Sequence, residues 1–99
     1  MESMADVAHT QATMGNFDAA IDLYNQSLEL SNTLEDVSGQ FVARWGLADI
    51  SEIQGDYQTA MLHLSDCLHA FIAFGLPAPT PIRERLDALT KLENPQEEE

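Results

Sequence analysis

Positive charge is what this sequence has least of. Four Lys+Arg face seventeen Asp+Glu, leaving a formal charge of −13 at pH 7. A surface of that sign repels phosphate backbones and anionic lipid headgroups, so neither a nucleic-acid nor a membrane role is expected. Cysteine is nearly absent: Cys67 stands alone, which excludes an internal disulfide and any zinc site built from several thiolates. Long apolar runs are missing as well. The least polar stretch, residues 67–82, contains His69 and is interrupted by Pro77, Pro79 and Pro81, whereas a spanning helix needs roughly 20 apolar residues. The opening Met1-Glu2-Ser3-Met4-Ala5-Asp6 has no basic flank and no apolar stretch behind it, unlike a secretory signal. A soluble cytoplasmic protein is expected, in which the sequon Asn25-Gln26-Ser27 goes unused. Glycine-rich phosphate loops, calcium loops and His-Glu-x-x-His zinc motifs do not occur.

What is present is an ordinary globular mixture, 44% hydrophobic and 21% charged over 99 residues, enough for one domain. It repeats itself. Gly15-Asn16-Phe17-Asp18-Ala19-Ala20-Ile21 aligns with Gly55-Asp56-Tyr57-Gln58-Thr59-Ala60-Met61 at an offset of 40, and the match extends to Ala8/Ala48, Leu28/Leu68 and Leu34/Phe74. Glycine followed by Asn or Asp and an aromatic is helix punctuation. The glycine ends one helix in the left-handed conformation, and Asn16 or Asp56 caps the next with its side-chain oxygen. Each copy therefore predicts helix, two-residue turn, helix.

Apolar periodicity fills in the elements. Met4, Val7, Ala8 and Gln11 share a face of a helix over about residues 3–14, and Ala20, Ile21, Tyr24, Leu28 and Ser31 share one over 17–33. Phe41, Leu47, Ala48, Ile50 and Ser51 predict a third over 38–54, and Ala60, Met61, Leu64, Cys67, Leu68 and Phe71 a fourth over 57–74. Small residues recur at matching places, Ala8, Ala20 and Ser27 and then Ala48, Ala60 and Cys67, so paired helices can approach closely. Gly75 stops the fourth helix and a proline-rich linker follows. Thr80-Pro81 then starts a fifth, with Thr80 as N-cap and Ile82, Leu86, Leu89 and Leu92 as its stripe over 81–92. Residues 93–99, ending Glu97-Glu98-Glu99, predict a solvated acidic tail.

This pattern resembles the tetratricopeptide repeat (TPR). In that family a helix pair carries small residues at its eighth, twentieth and twenty-seventh positions, with Gly-Asp-Tyr or similar at the turn. Residues 1–34 and 41–74 are similar to two such repeats. Glu35 to Gln40 stretch the family's period of about 34 to 40, the long form found in kinesin light chains and in the sensor tails of bacterial signal-transduction ATPases and multidomain regulators. The sequence departs from the pattern at Arg44, where the family has an aromatic, with Trp45 one place later. Asn32 and Ile72 replace the frequent terminal proline. The resemblance implies an all-α fold, two helix-turn-helix repeats plus a C-terminal capping helix, and a protein-interaction or scaffold function without catalysis.

The resemblance also implies which residues line the binding groove: Glu2, Ala5, His9, Ala12 and Thr13 of the first repeat, and Val42, Trp45, Asp49, Glu52 and Ile53 of the second. The candidate protein-binding set is Ala5, His9, Val42, Trp45, Asp49, Glu52 and Ile53. Trp45 is placed between two roles, groove hot spot or filler of the space beside Arg44. Repeats that grip acidic C-termini use a basic clamp. Here its places hold Ala5, His9 and Gly46, and Asp49 and Glu52 instead favour a basic or basic-amphipathic partner. Two repeats are few for a solenoid, so a homodimer or a fragment of a larger regulator is an alternative.

Catalytic and metal chemistry find little footing. His63 and Cys67 lie four apart on one helix face, as two ligands would, but Cys67 occupies a small-residue packing position and Asp66 would raise, not lower, a thiol pKa. Asp49, Glu52 and Asp56 could face one side of a helix end, but paired acids need a substrate cleft between them, which a thin stack of helix pairs rarely offers. No catalytic, cofactor or metal site is expected. A ligand or metal sensor using His9, His63 and Cys67 is the rival of another class.

Overall fold

The computed structural model describes residues 4–93. It is all-α: α1 (Met4–Thr13), α2 (Phe17–Thr33), α3 (Val37–Ile53), α4 (Tyr57–Ala73) and α5 (Thr80–Glu93), with no strand among the described residues. Each helix packs on the next, and α1 also touches α3, giving the short solenoid-like order that the repeat predicts. The Cα atoms span 48 × 36 × 17 Å, a slab about two helices thick at ordinary interaxial distances of roughly 8–10 Å. Glu2 and residues 94–99, most of the expected acidic tail, lie outside the described residues; α5 runs one residue past its expected end, to Glu93.

The turns show a shorter period than the sequence match. Gly15, Gly55 and Gly75 adopt φ of 87°, 81° and 71°, and Glu35 adopts the same left-handed conformation at 55°. All four close the same pair of hydrogen bonds: the Gly15, Glu35, Gly55 and Gly75 amides donate to Ala12, Asn32, Glu52 and Ile72 carbonyls at 3.0–3.2 Å, and the Asn16, Asp36, Asp56 and Leu76 amides to Gln11, Ser31, Ser51 and Phe71 carbonyls at 2.8–2.9 Å. These bonds satisfy the last carbonyls of each helix. The unit is thus one helix and one turn every 20 residues. Glu35 to Gln40 are not an insertion between repeats. They supply the turn residue Glu35, the N-cap Asp36 and an extra first turn of α3.

Capping follows chemistry more closely than alignment. The Asp36 carboxylate accepts from the Gly39 amide at 3.0 Å and that of Asp56 from Thr59 at 3.2 Å. Asp56 also accepts from the Thr59 hydroxyl, and these bonds hold its carboxyl below the usual range. Asn16 does not cap α2. Its amide donates to the Gln11 side chain at 2.9 Å, because an amide, unlike a carboxylate, has hydrogens to place. Thr80 is likewise the first residue of α5 and not the residue before it.

Two apolar clusters share α3. One joins Ala8, Ala20, Tyr24, Ala43, Leu47 and Ile50; the other joins Val37, Ala48, Ala60, Leu64, Cys67, Phe71, Ile82 and Leu89. Ala8, Ala20, Ala48 and Ala60 are each 0% exposed, as their small size at helix crossings requires. Ile82 and Leu89 pin α5, Leu86 is half-buried, and Leu92, the fourth residue of the expected stripe, is exposed. No helix among the described residues is long and apolar enough to cross a membrane.

Candidate protein-binding groove

Gly46 lies in the middle of α3, where glycine is a poor helix former. Its place is explained by Tyr24 of α2. A Cβ at Gly46 would fall within the Tyr24 ring, against Cζ and Cε1 and 2.5 Å from Oη. The missing side chain lets α2 and α3 close with the phenol lying over the α3 backbone. The ring then forms the floor between two adjoining cavities, of about 330 and 370 Å³, that both include His9, Tyr24, Gly46 and Asp49. Burial, then the Asp49 and Asp6 charges, raise the Tyr24 hydroxyl pKa, so the phenol stays neutral.

All seven residues expected in the groove border these cavities. Ala5, Val42 and Trp45 line one, Glu52 and Ile53 the other, and His9 and Asp49 both. Val42 and Ile53 remain 49% and 66% exposed, apolar surface left open among the described residues. Ala12 and Thr13 border the cavity beside Glu52. Tyr24, Tyr57 and Arg85 also line the cavities and escape a sequence reading, because the two tyrosines do not stand at groove positions and Arg85 lies on α5, outside both repeats. The unusual mid-helix glycine was the one local signal of a close approach.

Arg85 changes the electrostatics expected of this surface. The sequence places Asp49 and Glu52 in a groove without Lys or Arg, but α5 brings Arg85 to both. Its Nη2 donates to Asp49 Oδ1 at 2.6 Å and to Glu52 Oε2 at 2.9 Å, and its Nε to Glu52 at 3.2 Å. The guanidinium also lies 4.6 Å from the Trp45 ring centroid. Among the described residues the α3 and α5 backbones make no close approach, so it takes a side chain as long as arginine to reach both carboxylates. Trp45 packs against the apolar cluster that includes Leu64 and Phe71, in keeping with the filling role expected of it, and also borders one cavity. It is half-buried, tilted against Phe41 at 5.4 Å, and covered on the cap side by Arg85.

Arg44 keeps its own place. It turns to α4 and pairs with Asp66 at 3.2 Å beside His63 and Cys67. Burial first, then the Arg44 charge, hold His63 below the usual histidine range. Burial pushes the Cys67 thiol up to about 11, against the pull of Arg44, so it remains a protonated packing residue at neutral pH. His69 is exposed. His9 borders the groove on α1, whereas His63 and Cys67 belong to α4, and among the described residues no three His, Cys, Asp or Glu gather where a metal ion could be held. No family model, curated protein or solved structure matches this chain.

Proposed function

We propose that this chain is a TPR-like interaction module that binds a segment of a partner protein in the groove bordered by α1, α3 and α5. The supporting observation is the convergence of seven residues, chosen by repeat position, on two continuous cavities with an apolar floor and a carboxylate rim. Ala5, Val42, Trp45 and Ile53 offer apolar contact. Asp6, Asp49 and Glu52 outnumber Arg85 on the lining, which favours a basic-amphipathic segment and speeds its encounter. A scaffold role in the cytoplasm fits such a surface, and no bond-making step is assigned to it.

The test uses exposed positions whose change does not disturb the core. Val42→Asp and Ile53→Asp place charge inside the groove, and Leu62→Asp, at 64% exposed on α4, places it outside. Proteins captured from the native host by the wild type and by Leu62→Asp, but lost by both groove variants, support the proposal. Equal capture by all four chains refutes it.

Self-association is a second reading, carried by the N-terminal end. Leu30 and Leu34 on and after α2 are 50% and 65% exposed, and Met4 with Gln26, Glu29 and Thr33 borders a shallow hollow beside Leu30. α5 covers the opposite end. A twofold dimer at micromolar concentration is expected on this reading. Light scattering that reports about 11 kDa at several hundred micromolar would exclude it.

A further inference from the structure

The contacts around Arg85 constitute a receptor for a guanidinium group. One aromatic face, that of Trp45, and two carboxylates, those of Asp49 and Glu52, converge on a single planar cation. Two of its nitrogens and three hydrogen bonds are engaged, a fork that an ammonium ion does not match. We infer that this receptor is exchangeable: Arg85 holds it in cis, and an arginine of the partner segment takes it when the groove is filled. The inference rests on the groove being the binding surface and names both the side chain recognised there and the contact that restrains binding.

Three features of the fold allow exchange without unfolding. First, α5 is anchored by other residues, since Ile82 and Leu89 are 0% and 1% exposed in the cluster with Leu64 and Phe71. Release of the Arg85 head group leaves that packing in place. Second, the receptor is open from the solvent side. The Asp49 and Glu52 side chains are 46% and 35% exposed, while Arg85 itself is 16% exposed. Third, Arg85, Asp49 and Glu52 border the cavity of about 330 Å³, and Trp45 and Asp49 border its neighbour. A chain lying along the groove therefore passes the receptor within side-chain reach. Arg85 then acts as an intramolecular competitor. A vacant receptor population of roughly 1–10% weakens the apparent affinity for an arginine-bearing segment by about 10- to 100-fold. It also selects against segments that lack arginine, because these cannot restore the bonds that Arg85 gives up.

Trp45 is the only tryptophan, so its emission reports on this site alone. The full-length wild type, Arg85→Ala and Arg85→Gln are compared, with far-UV circular dichroism to follow helix content. Methylguanidinium at tens of millimolar is expected to return the Arg85→Ala emission toward that of the wild type, while methylammonium does not. The second probe is a blocked nonapeptide of alternating leucine and arginine, with lysine replacing arginine in its control. The arginine peptide should bind both variants about 10- to 100-fold more tightly than the wild type, and more tightly than the lysine peptide. Equal affinity for wild type and variants overturns exchange while leaving the groove as a binding surface. Binding to none of the three overturns the groove reading and this inference with it. If a variant loses helix, the Arg85 Nε–H resonance of the wild type decides: a shift on adding arginine peptide supports exchange, and an unmoved resonance refutes it.

Discussion

Replacing Gly46 by alanine sets two effects of opposite sign against each other. Helix propensity favours the change, because alanine is better than glycine inside a helix by about 1 kcal/mol. Packing opposes it. The new Cβ would overlap Cζ and Cε1 of Tyr24 and stand 2.5 Å from its Oη. Tyr24 is 4% exposed and packed in the cluster of Ala8, Ala20, Ala43, Leu47 and Ile50, so the ring can retreat only toward the cavities it floors, at the expense of that packing. Overpacking of a filled core costs about 1–3 kcal/mol, and overlap with a ring, rather than with a flexible side-chain tip, places this case at the upper end.

The difference leaves Gly46→Ala about 2 kcal/mol less stable by these two magnitudes. For a domain of this size that is a fall in Tm of roughly 8–16 °C. Urea and thermal unfolding followed by circular dichroism give the value. A double-mutant cycle supplies the sharper test. In a Tyr24→Leu background the obstacle is largely gone, so alanine at position 46 should show its propensity and become neutral or stabilising. A sign reversal between the two backgrounds is the expected outcome. If Gly46→Ala stabilises the wild type, or costs the same in both backgrounds, Tyr24 does not lie over α3 as described.

Glu35 holds a left-handed φ of 55° that glycine adopts without strain. Glu35→Gly should raise stability by roughly 0.5–1 kcal/mol after the entropy of glycine in the unfolded chain is subtracted, whereas Glu35→Ala removes the same charge and should not; equal Tm values for the two variants would count against the strain. Ala20 and Ala60 are both 0% exposed, so Ala20→Leu and Ala60→Leu should each cost about 1–3 kcal/mol while Gln26→Leu on the exposed side of α2 costs almost nothing; identical melting of all three would mean that the helix crossings lie elsewhere. His63 is held neutral by burial and by Arg44. Its folded pKa is depressed, so the unfolded chain takes up the proton first, and this part of the stability is present above about pH 6.5 and is lost as pH falls toward the folded value. His63→Gln should therefore show a smaller drop in Tm between pH 7 and pH 5 than the wild type; an unchanged drop would assign the acid sensitivity to other groups.

The helices were legible because their signals are local. Gly15, Gly55 and Gly75 are the residues that a left-handed turn prefers, and the apolar periods between them give helix boundaries to within a residue or so. The fourth equivalent turn escaped because Glu35 carries no mark of its backbone conformation, and only the packing of α2 against α3 imposes it. That Val42, Asp49 and Ile53 border the cavities was legible for a related reason: a repeat fixes which residues share a helix face. Arg85 was not legible. It lies 36 residues from Asp49 and 33 from Glu52, and its placement depends on how a proline-rich linker returns α5 to the slab. Tyr24 with Gly46 falls between these cases. A mid-helix glycine announces that something comes close, but not which residue of the neighbouring helix arrives.

The neighbours Arg44 and Trp45 have structural consequences at both edges of α3. Consecutive residues on a helix diverge by about 100°, so Arg44 and Trp45 face different neighbours. Arg44 reaches Asp66 on α4, and Trp45 receives Arg85 from α5. Lys91 pairs within α5 with Asp87 at 3.6 Å, which leaves Arg44 and Arg85 as the cations that tie α3 to other helices among the ion pairs of the described residues. In a chain carrying −13, such cations act where they are placed rather than by number. An aromatic at position 44 with no tryptophan at 45 would still pack against α4, but it would remove the face on which Arg85 rests. The cap would keep Ile82, Leu86, Leu89 and the Arg85 ion pairs, but Asp49 and Glu52 would lose the aromatic wall beside the guanidinium they hold. Trp45, Asp49 and Glu52 on α3 are thus what join the end cap, through Arg85, to the proposed recognition surface.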